Sequence, residues 1–509
     1  MRSPPLLLAA LLLSAGCDGM GVPAPKRAPG EPFVRFGPKG QEAPPAGPVQ
    51  ALDGGMPTHP RGLKPPAPLA FNPPPIAPVP LSNGARVFLA QDRSVPMVSV
   101  TLYLRTGVLE EPAAKAGLAD LTGDAMRAGG AGDWDPDALD ELLEGMAASV
   151  ECEIGADQGS LSLSCRVQDL PKGLEVLRAV LERPRFDERR LQMLKGRTLE
   201  GIRRRNEDPQ ALAASAFHRL LYGADSPWAR ESTLATVSPL TRDDVAAFHA
   251  GHVKPCLWSI AASGDLEEKD LLRQLEAAFG SLPRREGMGP ALPTSPAVRE
   301  PRVVLLPKTV NQATLLVGHA GAPNLADGQP HPDRYAIHVL NFILGGGSFS
   351  SRLVKEVRVT RGLAYSAWSA FPMESGRGSV QMGSQTRTEK ACESLSCMQE
   401  VLGKLLDGGV TEEEMALAQS SLINAFVFKV ATPAQRAQNA AVYEYMGFPA
   451  DYLSHYVERI RAVTAADVAR VAKAHCHPDK MSIAVCGDAS ALEKGLAAFG
   501  KVEVETVGE

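Results

Sequence analysis

Residues Leu344–Phe371, LGGGSFSSRLVKEVRVTRGLAYSAWSAF, form the stretch around which the rest of the chain is best understood. Gly345–Gly347 permit backbone conformations closed to other residues and let another segment of chain approach closely. The pattern that follows predicts a helix over Ser350–Arg361 that ends at Gly362. The alternating, aromatic-bearing run Tyr365–Phe371 predicts a strand. A helix and a strand in direct succession place the side chains at their junction close together.

Arg358, near the end of this helix, and Tyr365, at the start of the strand, are candidate functional residues. A guanidinium and a phenol are both hydrogen-bond donors, and together they can hold a peptide carbonyl or an oxyanion. The alternative is structural: Arg358 caps the helix and Tyr365 is a half-buried strand residue. Residue types alone favour this alternative.

Length and composition indicate a globular protein of several domains. The chain has 509 residues, of which 44% are hydrophobic and 22% charged. This length suggests roughly two to four domains. The net charge of −5 gives no reason to expect a nucleic-acid partner. Beyond the N-terminus, no stretch is long and apolar enough to span a bilayer.

The N-terminus has the features of a bacterial lipoprotein signal. Arg2 precedes the apolar run Leu6–Leu13, which is too short for a transmembrane helix. The following residues, through Cys17, resemble the lipobox, in which the cysteine is lipidated. We therefore expect residues 1–17 to be a signal peptide. A lipidated Cys17 would anchor the protein in the envelope of a Gram-negative-type bacterium, at the periplasmic face or in the outer membrane.

Cysteine placement leaves the disulfide pairing open. Seven cysteines remain besides Cys17, and the predicted compartment is oxidising. Cys152 and Cys165 flank a predicted turn, so they could face each other across two strands. An odd number leaves at least one thiol free. The paired CxxC spacing of a zinc site is absent.

The folded part of the sequence contains the same unit twice. Residues 241–265 recur at 464–488 without a gap, at a shift of 223 residues. Each copy predicts a short helix, a turn, a strand and a terminal Gly-Asp. Residues 118–130 match 335–347 more loosely, at a shift of 217. The repeat indicates two αβ units of similar size.

Composition sets the predicted boundaries between these units. Proline, glycine and alanine crowd residues 18–80, which predicts a disordered, partly polyproline tether. A second Pro/Gly-rich stretch, 283–301, predicts a linker between units at 81–282 and 302–492. Each unit mixes helices, strands and hairpins. This order predicts an α+β fold of two repeated sandwich units, each a mixed or antiparallel sheet with helices packed on one face.

Three short motifs follow one another along the folded part. They are LSNGARV at Leu81–Val87, the segment from Leu344 through Arg358 to Tyr365, and GVTEEE at Gly409–Glu414. In this order and spacing the chain resembles the M16 metallopeptidase family, the pitrilysin and insulinase group, in its two-domain bacterial form. The resemblance runs from about Pro80 to Ser490. Active members cleave peptides with a zinc ion held by His-x-x-Glu-His on a helix of the first domain.

The matching helix in this chain carries none of that chemistry. Asp120 and Asp124 occupy the two histidine positions, and Gly123 occupies the position of the general base. The family's third ligand, 77 residues beyond the second histidine, falls on Gly201. The resemblance therefore implies no zinc, no general base and no cofactor in this chain. Two aspartates four residues apart leave open a hard cation such as Ca²⁺ or Mg²⁺, although solvent-facing aspartates are favoured.

The other part of the family's active site is present. Arg358 and Tyr365 match an arginine and a tyrosine, seven residues apart, that contact the substrate backbone in the family. In some bacterial members the zinc motif and this pair lie on separate chains of a heterodimer. The resemblance implies that this chain is the non-catalytic subunit of a zinc metallopeptidase. Its partner would hold the zinc, and peptides would bind as an added strand.

Two other functions stay open. One is a peptide-binding or assembly lipoprotein with no proteolytic role, and the other is a stand-alone hydrolase that uses a different metal. The run His475-Cys476-His477 is a possible metal ligand set, but His475 has a counterpart, His252, in the repeat. A shared structural role for the two histidines is therefore favoured.

Overall fold

Residues 72–283 and 298–506 are described by the computed structural model. Within these ranges each half of the sequence repeat forms one sheet with its helices, and both halves belong to one compact unit. The predicted signal peptide, Cys17 and most of the predicted tether lie outside the described residues. Most of the predicted linker, 283–301, lies outside them as well.

The first half forms a six-stranded sheet in the order β1-β2-β6-β3-β5-β4, in which only β2 and β6 pair in parallel. Its strands are β1 (Val79–Pro80), β2 (Arg86–Gln91), β3 (Met97–Leu104), β4 (Ser149–Ile154), β5 (Gly159–Arg166) and β6 (Leu257–Gly264). Its helices are α1 (Leu118–Ala128), α2 (Pro136–Gly145), α3 (Leu170–Glu182), α4 (Glu188–Arg205), α5 (Pro209–Tyr222), α6 (Leu234–Val237), α7 (Arg242–Phe248) and α8 (Glu268–Phe279).

The second half forms a seven-stranded sheet in the order β11-β13-β8-β14-β7-β15, with β12 paired to β13. The strands of this sheet are β7 (Val303–Pro307), β8 (Gln312–Ala320), β11 (Ala364–Ala370), β12 (Met373–Glu374), β13 (Arg377–Arg387), β14 (Ser482–Gly487) and β15 (Val502–Val504). Two further strands, β9 (Leu325–Ala326) and β10 (Gln329–Pro330), pair with each other in a separate two-stranded sheet. The helices of this half are α9 (Arg334–Asn341), α10 (Ala391–Gly408), α11 (Glu412–Lys429), α12 (Pro433–Tyr445), α13 (Tyr456–Ala462), α14 (Ala465–His475) and α15 (Ala489–Leu496).

The two sheets share one topology. Without the outermost strands β1 and β15, the order β2-β6-β3-β5-β4 corresponds to β7-β14-β8-β13-β11. Equivalent helices begin in the same way: Thr241 caps α7 and Thr464 caps α14, each through a reciprocal capping box with the aspartate three residues on. The predicted α+β fold of two repeated units is therefore confirmed.

Alternation of residue types explains which face of each sheet is covered. Strand β5 reads GSLSLSCR, and its leucines and Cys165 are buried while the intervening serines are half-buried. A strand presents successive side chains to opposite faces, so the leucines of β5 all reach the same helix-covered core. Helix α3 meets them with Leu170, Leu174 and Leu177, which recur at intervals of four and three residues.

The opposite face of each sheet is covered by a helix from the other half. Helix α5 of the first half lies on the second sheet, where Phe217 packs with Val304, Leu306 and Leu316. A Cβ added at Gly318 would lie only 3.0 Å from the Phe217 ring, so the helix rests directly on β8. The two halves are interlocked as a result, and each sheet lies between two helical layers.

Helix α12 makes the reciprocal contact with the first sheet. Its Ala437 and Ala441 are fully buried against Phe88 and Ala261. At the rim of this contact Arg86 forms an ion pair with a glutamate of α12. No single helix in the described ranges is long and apolar enough to cross a membrane, and α11 with α12 qualify only as a pair bent by 105°.

The structure corrects two predicted boundaries. The second half extends past residue 492, because β15 pairs in parallel with β7 at the edge of the sheet. The last part of the predicted tether is held by the folded part: Pro73 is buried and accepts a hydrogen bond from Ser454. Ile76 packs beside α12, and β1 joins the first sheet. These contacts fix a stretch that composition alone assigned to disorder.

The bridge that the sequence left open between Cys152 and Cys165 does not form. The register of the β4–β5 hairpin places Cys152 opposite Leu161, four residues from Cys165. Adjacent residues along a strand are about 3.3 Å apart, so the two thiols are too distant to bond. Neither Cys152 nor Cys165 forms a disulfide bond.

Phe217→Ala tests the interlocking of the halves. Phe217 is 1% exposed, and its loss removes a large side chain from the contact between α5 and the second sheet. We expect the free energy of unfolding to fall by about 3–5 kcal/mol. Phe428→Ala is the matched control, because Phe428 is 76% exposed. We expect its effect to lie within about 0.5 kcal/mol. Denaturant unfolding should show one transition, and two separate transitions in the wild type would contradict the interlocked fold.

Candidate functional site

The glycine run allows a helix to touch the edge of the second sheet. Helix α9 continues into a π-helical turn, Phe342–Gly346, which lies against β11. A Cβ on Gly345 would lie 2.2 Å from the backbone nitrogen of Ser369, closer than any side chain allows. The Ser369 hydroxyl donates to the Asn341 side chain at 2.7 Å and fixes the same contact. The close approach predicted for these glycines is made by a strand of the same half.

The segment that carries Arg358 differs from the predicted helix. Residues Val354–Thr360 form a π-helix rather than a regular α-helix, after a short 3₁₀ turn at Ser348–Ser350. Gly362 ends it as predicted, with a φ of +60° that favours glycine. Apolar spacing does not separate an α-helix from a π-helix. Short π-helical segments frequently occur at functional sites.

Three arginines of this segment have different environments. Arg352 donates two hydrogen bonds of 2.7 Å to Glu414. Arg361 pairs with two glutamates at 2.9 and 2.6 Å. Arg358 has no ion pair or hydrogen bond with any described residue. Two arginines therefore fix the segment, whereas the donors of the third remain available.

A β-bulge directs Tyr365 outward. β11 is an edge strand, and its register with β13 shifts between Ala364 and Ser366, leaving Tyr365 as the extra residue. A bulge turns the side chain of its extra residue away from the regular alternation. Tyr365 is 74% exposed, so it is not the half-buried strand residue of the structural alternative.

The Arg358 guanidinium lies between two exposed aromatic rings. Its central carbon is 5.0 Å from the centre of the Tyr365 ring and 4.7 Å from that of Phe349. These distances are typical of cation–π contacts, which hold the cation in place without using its N–H donors. The structure thus brings the two predicted residues together and adds Phe349, which sequence reasoning missed. An exposed aromatic residue just after a glycine run was its only signal.

The degenerate zinc positions lie on the first half. Asp120 and Asp124 are exposed on α1, and Gly123 is buried where α1 crosses the edge strand β4. A Cβ at Gly123 would lie 3.2 Å from Ile154 of that strand, a tight contact. Gly201 lies on α4 with open space around it. Its neighbour Glu200 pairs with arginines of its own helix.

Asp120 belongs to a group of repelling carboxylates. Its pKa is raised to about 7, first because surrounding protein desolvates the carboxyl and then because Glu111, Asp124 and Glu153 repel its charge. Asp120 is nevertheless exposed to solvent, so its carboxyl is not part of the core. Among residues 72–283 and 298–506, these carboxylates do not converge within 4.8 Å as a three-ligand group.

Glu111 holds the start of the helix that carries these positions. Its carboxylate accepts hydrogen bonds from the backbone nitrogens of Gly117, at 3.1 Å, and Ala119, at 2.9 Å. An anion at a helix N-terminus satisfies donors that have no partner within the helix. Burial nevertheless raises the pKa of Glu111. Glu111 is therefore a structural cap of α1.

Two family models match the chain and together cover more than half of it. The model for Insulinase (Peptidase family M16) matches residues 86–227, and the model for the Peptidase M16 inactive domain matches residues 239–422. The chain belongs to peptidase family M16. The inactive-domain model covers the half that carries Arg358 and Tyr365, whereas Asp120, Gly123, Asp124 and Gly201 all lie within the residues matched by the Insulinase model.

M16 relatives of two kinds are similar to the chain. An uncharacterized zinc protease of Mycobacterium tuberculosis is 28% identical over 323 residues, 63% of this chain and 72% of the relative. A protein named non-peptidase homolog YmxG, from Helicobacter pylori, is 24% identical over 405 residues, 78% of this chain and 91% of the relative. The crystal structure of a peptidase M16 inactive domain from Pseudomonas fluorescens matches with a TM-score of 0.71 and 26% identity, covering 81% of this chain and 98% of that one.

Gly345→Ala tests the contact between the M16 glycine run and β11. The added methyl group overlaps the Ser369 backbone, so we expect a loss of stability of about 1–3 kcal/mol. Gly403→Ala on α10 is the control, because no atom lies within 4 Å of its added Cβ. We expect it to be neutral or to stabilise the protein by up to about 1 kcal/mol. Denaturant unfolding of both variants measures the difference, and a Gly345→Ala protein as stable as the wild type would contradict the contact.

Asp120→Asn tests the repulsion among the carboxylates. The pKa of Asp120 is raised to about 7 in the folded state, well above the ordinary value of an aspartate, so the folded state binds the proton more tightly. Stability present at acidic pH is therefore lost as the pH rises through this window. The neutral asparagine avoids that loss. We expect the variant and the wild type to differ little near about pH 4, and the variant to be the more stable near about pH 8. Asp225→Asn, in an exposed loop, should show no such trend, and a pH-independent difference for Asp120→Asn would contradict the repulsion.

Proposed function

We propose that this chain is a non-catalytic M16 subunit that supplies Arg358 and Tyr365 to a zinc metallopeptidase formed with an M16 partner. The observation that carries the proposal is the state of Arg358. Its guanidinium is held between Tyr365 and Phe349 while its N–H donors have no partner in the described residues. A cation fixed in this way, without an ion pair, is arranged for a ligand.

Arg358 and Tyr365 provide donors for a peptide bond under attack. When water adds to a peptide carbonyl, negative charge develops on the carbonyl oxygen, and donors already in place stabilise that charge. The aromatic stack reduces the motion of Arg358 before substrate arrives, so less ordering is required on binding. The pair can stabilise charge but cannot activate water, which requires a base.

The partner supplies the remaining chemistry in this proposal. Gly123 and the two aspartates of α1 offer neither imidazole ligands nor a base at the M16 positions. A partner with an intact His-x-x-Glu-His motif would hold Zn²⁺ through the two histidines and polarise the attacking water, with the glutamate as base. The proposal assigns no cofactor to the corresponding position in this chain.

Edge strands provide the surface for peptide substrates. Strands β11 and β4 each lie at one end of their sheet, and an edge offers unpaired N–H and C=O groups to an extended peptide. β11 presents Tyr365 at its start, and Phe349 and Val359 are 62% and 65% exposed nearby in sequence. Main-chain hydrogen bonds tolerate many sequences, and the exposed apolar side chains favour peptides with apolar residues next to the cleaved bond.

The site of action in this proposal is the cell envelope. Lipidation of Cys17 would attach the chain to the periplasmic face or the outer membrane, and residues 18–72 would separate the folded part from it. An acyl chain contributes about 0.8 kcal/mol per buried CH₂ group, so several chains on one cysteine anchor a protein firmly. Peptides of the envelope are then the accessible substrates.

Arg358→Ala and Tyr365→Phe test the proposal in the reconstituted complex. In this test the chain is mixed with the product of any neighbouring gene that encodes an intact His-x-x-Glu-His motif. We expect each variant to lower kcat by about 10²-fold, as loss of an oxyanion donor does, while assembly with the partner is unchanged. Val95→Ala is the control, since Val95 is exposed in the loop before β3 and has no part in the proposed substrate surface. Unchanged activity in both variants would reject the proposal.

A peptide-binding lipoprotein without a proteolytic role is the second candidate, favoured by the open edge strand β4. It predicts peptide binding by the purified chain, and no zinc-dependent cleavage when the neighbouring product is added. A stand-alone hydrolase predicts cleavage by the chain alone that a chelator abolishes. Assays of the chain alone, the partner alone and the mixture distinguish all three functions.

A further inference from the structure

Four of the ten histidines come together at the start of α9 and the end of α14. They form two separate pairs. His319 accepts a hydrogen bond from the backbone nitrogen of His477 at 3.0 Å. The rings of His331 and His475 are in edge-to-face contact, with their centres 5.5 Å apart. The Asp333 carboxylate contacts His475. His475 and His477, two residues apart in the sequence, therefore belong to different pairs.

Three side chains each place one possible ligand atom in a small group: His331, Asp333 and His475. All three atoms lie within 4.8 Å of one another, and the three side chains are half-buried. Within the described residues no other group of three or more histidine, cysteine, aspartate or glutamate side chains meets this distance. Ligand atoms around a tetrahedral Zn²⁺ ion are about 3.4 Å apart. The three ligand atoms must therefore move closer together to bind one ion, and rotation of the side chains can bring them there.

Asp333 is oriented by a second residue. Arg470 donates to one carboxylate oxygen of Asp333 at 2.8 Å, and the other oxygen lies 2.7 Å from Nε2 of His475. Carboxylates that bind metals are commonly fixed by such an outer hydrogen bond. A metal ion bound by both side chains would replace this direct contact between Nε2 of His475 and the carboxylate oxygen, and any proton held between the two atoms would go to solvent.

The first half provides a contrast within the same chain. His252, the counterpart of His475, lies 3.5 Å from Glu110, so a histidine–carboxylate contact at the end of this helix is common to both halves. This agrees with the predicted shared structural role of His252 and His475. The second half adds His331 to the contact, and only there does a three-ligand group arise.

We propose that His331, Asp333 and His475 bind one Zn²⁺ ion, with water as the fourth ligand. Two imidazoles and one carboxylate form a donor set suited to this ion, whereas Ca²⁺ and Mg²⁺ prefer oxygen ligands alone. The ion ties the loop before α9 to the end of α14. Helix α9 leads directly into the glycine run, so the ion stabilises the support of the Arg358 segment. This site is independent of the peptidase proposal and differs from the position of the family's zinc motif.

Zn²⁺ binding to the purified full chain tests this site. The chain is first freed of metal with a chelator, and then titrated with Zn²⁺ alone by calorimetry, with metal content measured after dialysis. We expect one Zn²⁺ per chain in the wild type and an affinity at least tenfold lower in His331→Gln and His475→Gln. His252→Gln and His477→Gln are the matched controls, and we expect both to keep wild-type affinity.

Co²⁺ absorption gives a readout that misfolding does not imitate. Co²⁺ in a four-coordinate site of this kind absorbs visible light strongly, and His331→Gln should abolish that absorption. His331→Gln is the decisive variant, because the contacts of Asp333 with Arg470 and His475 do not involve His331. Thermal unfolding checks its fold, and Zn²⁺ should raise the Tm of the wild type and of the two controls but not that of His331→Gln. No retained Zn²⁺ in the wild type, or equal affinity in folded His331→Gln, would overturn the proposal.

Discussion

The exchange of α5 and α12 between the two halves is the constraint on which the rest of the structure depends. Each sheet has two apolar faces, and its own helices cover only one of them. The second face is covered by α5 in one case and by α12 in the other. Separating the halves would expose both contacts to water, at about 25 cal/mol for each Å² of apolar surface. A hinge that opens one half away from the other is therefore opposed by the core itself.

The regular sheets and exchanged helices contrast with the local backbone around Arg358. Several irregular backbone features of the second half lie close to Arg358 in the sequence. They are two π-helical segments, the positive φ of Ser348 and the bulge at Tyr365. Such features persist where surrounding contacts determine them. Here the contact of Gly345 with β11 and the ion pair between Arg352 and Glu414 provide those contacts. The irregular segment is thus held by its contacts with β11 and α11.

Sequence patterns predicted the repeat, the order of elements and the pairing of Arg358 with Tyr365, because each rests on local spacing. The exchange of helices could not be predicted, since an apolar helix does not indicate which sheet it covers. The failed bridge from Cys152 has a similar cause. Its geometry depends on hairpin register, which the four-residue turn sets and the cysteine spacing does not show. Phe349 was missed because exposure of a single aromatic residue has no signature in sequence.

The exposure of the arginine–tyrosine pair explains why it would act only with a partner or a substrate. In water, donors such as Arg358 gain little from an added carbonyl, because solvent already satisfies them. The same donors gain much more when water is excluded and the local dielectric falls. Phe349 and Tyr365 leave apolar surface in water beside the guanidinium, and covering it is favourable. Whatever covers this patch therefore gains binding energy from its rings and simultaneously strengthens the donors that the rings hold.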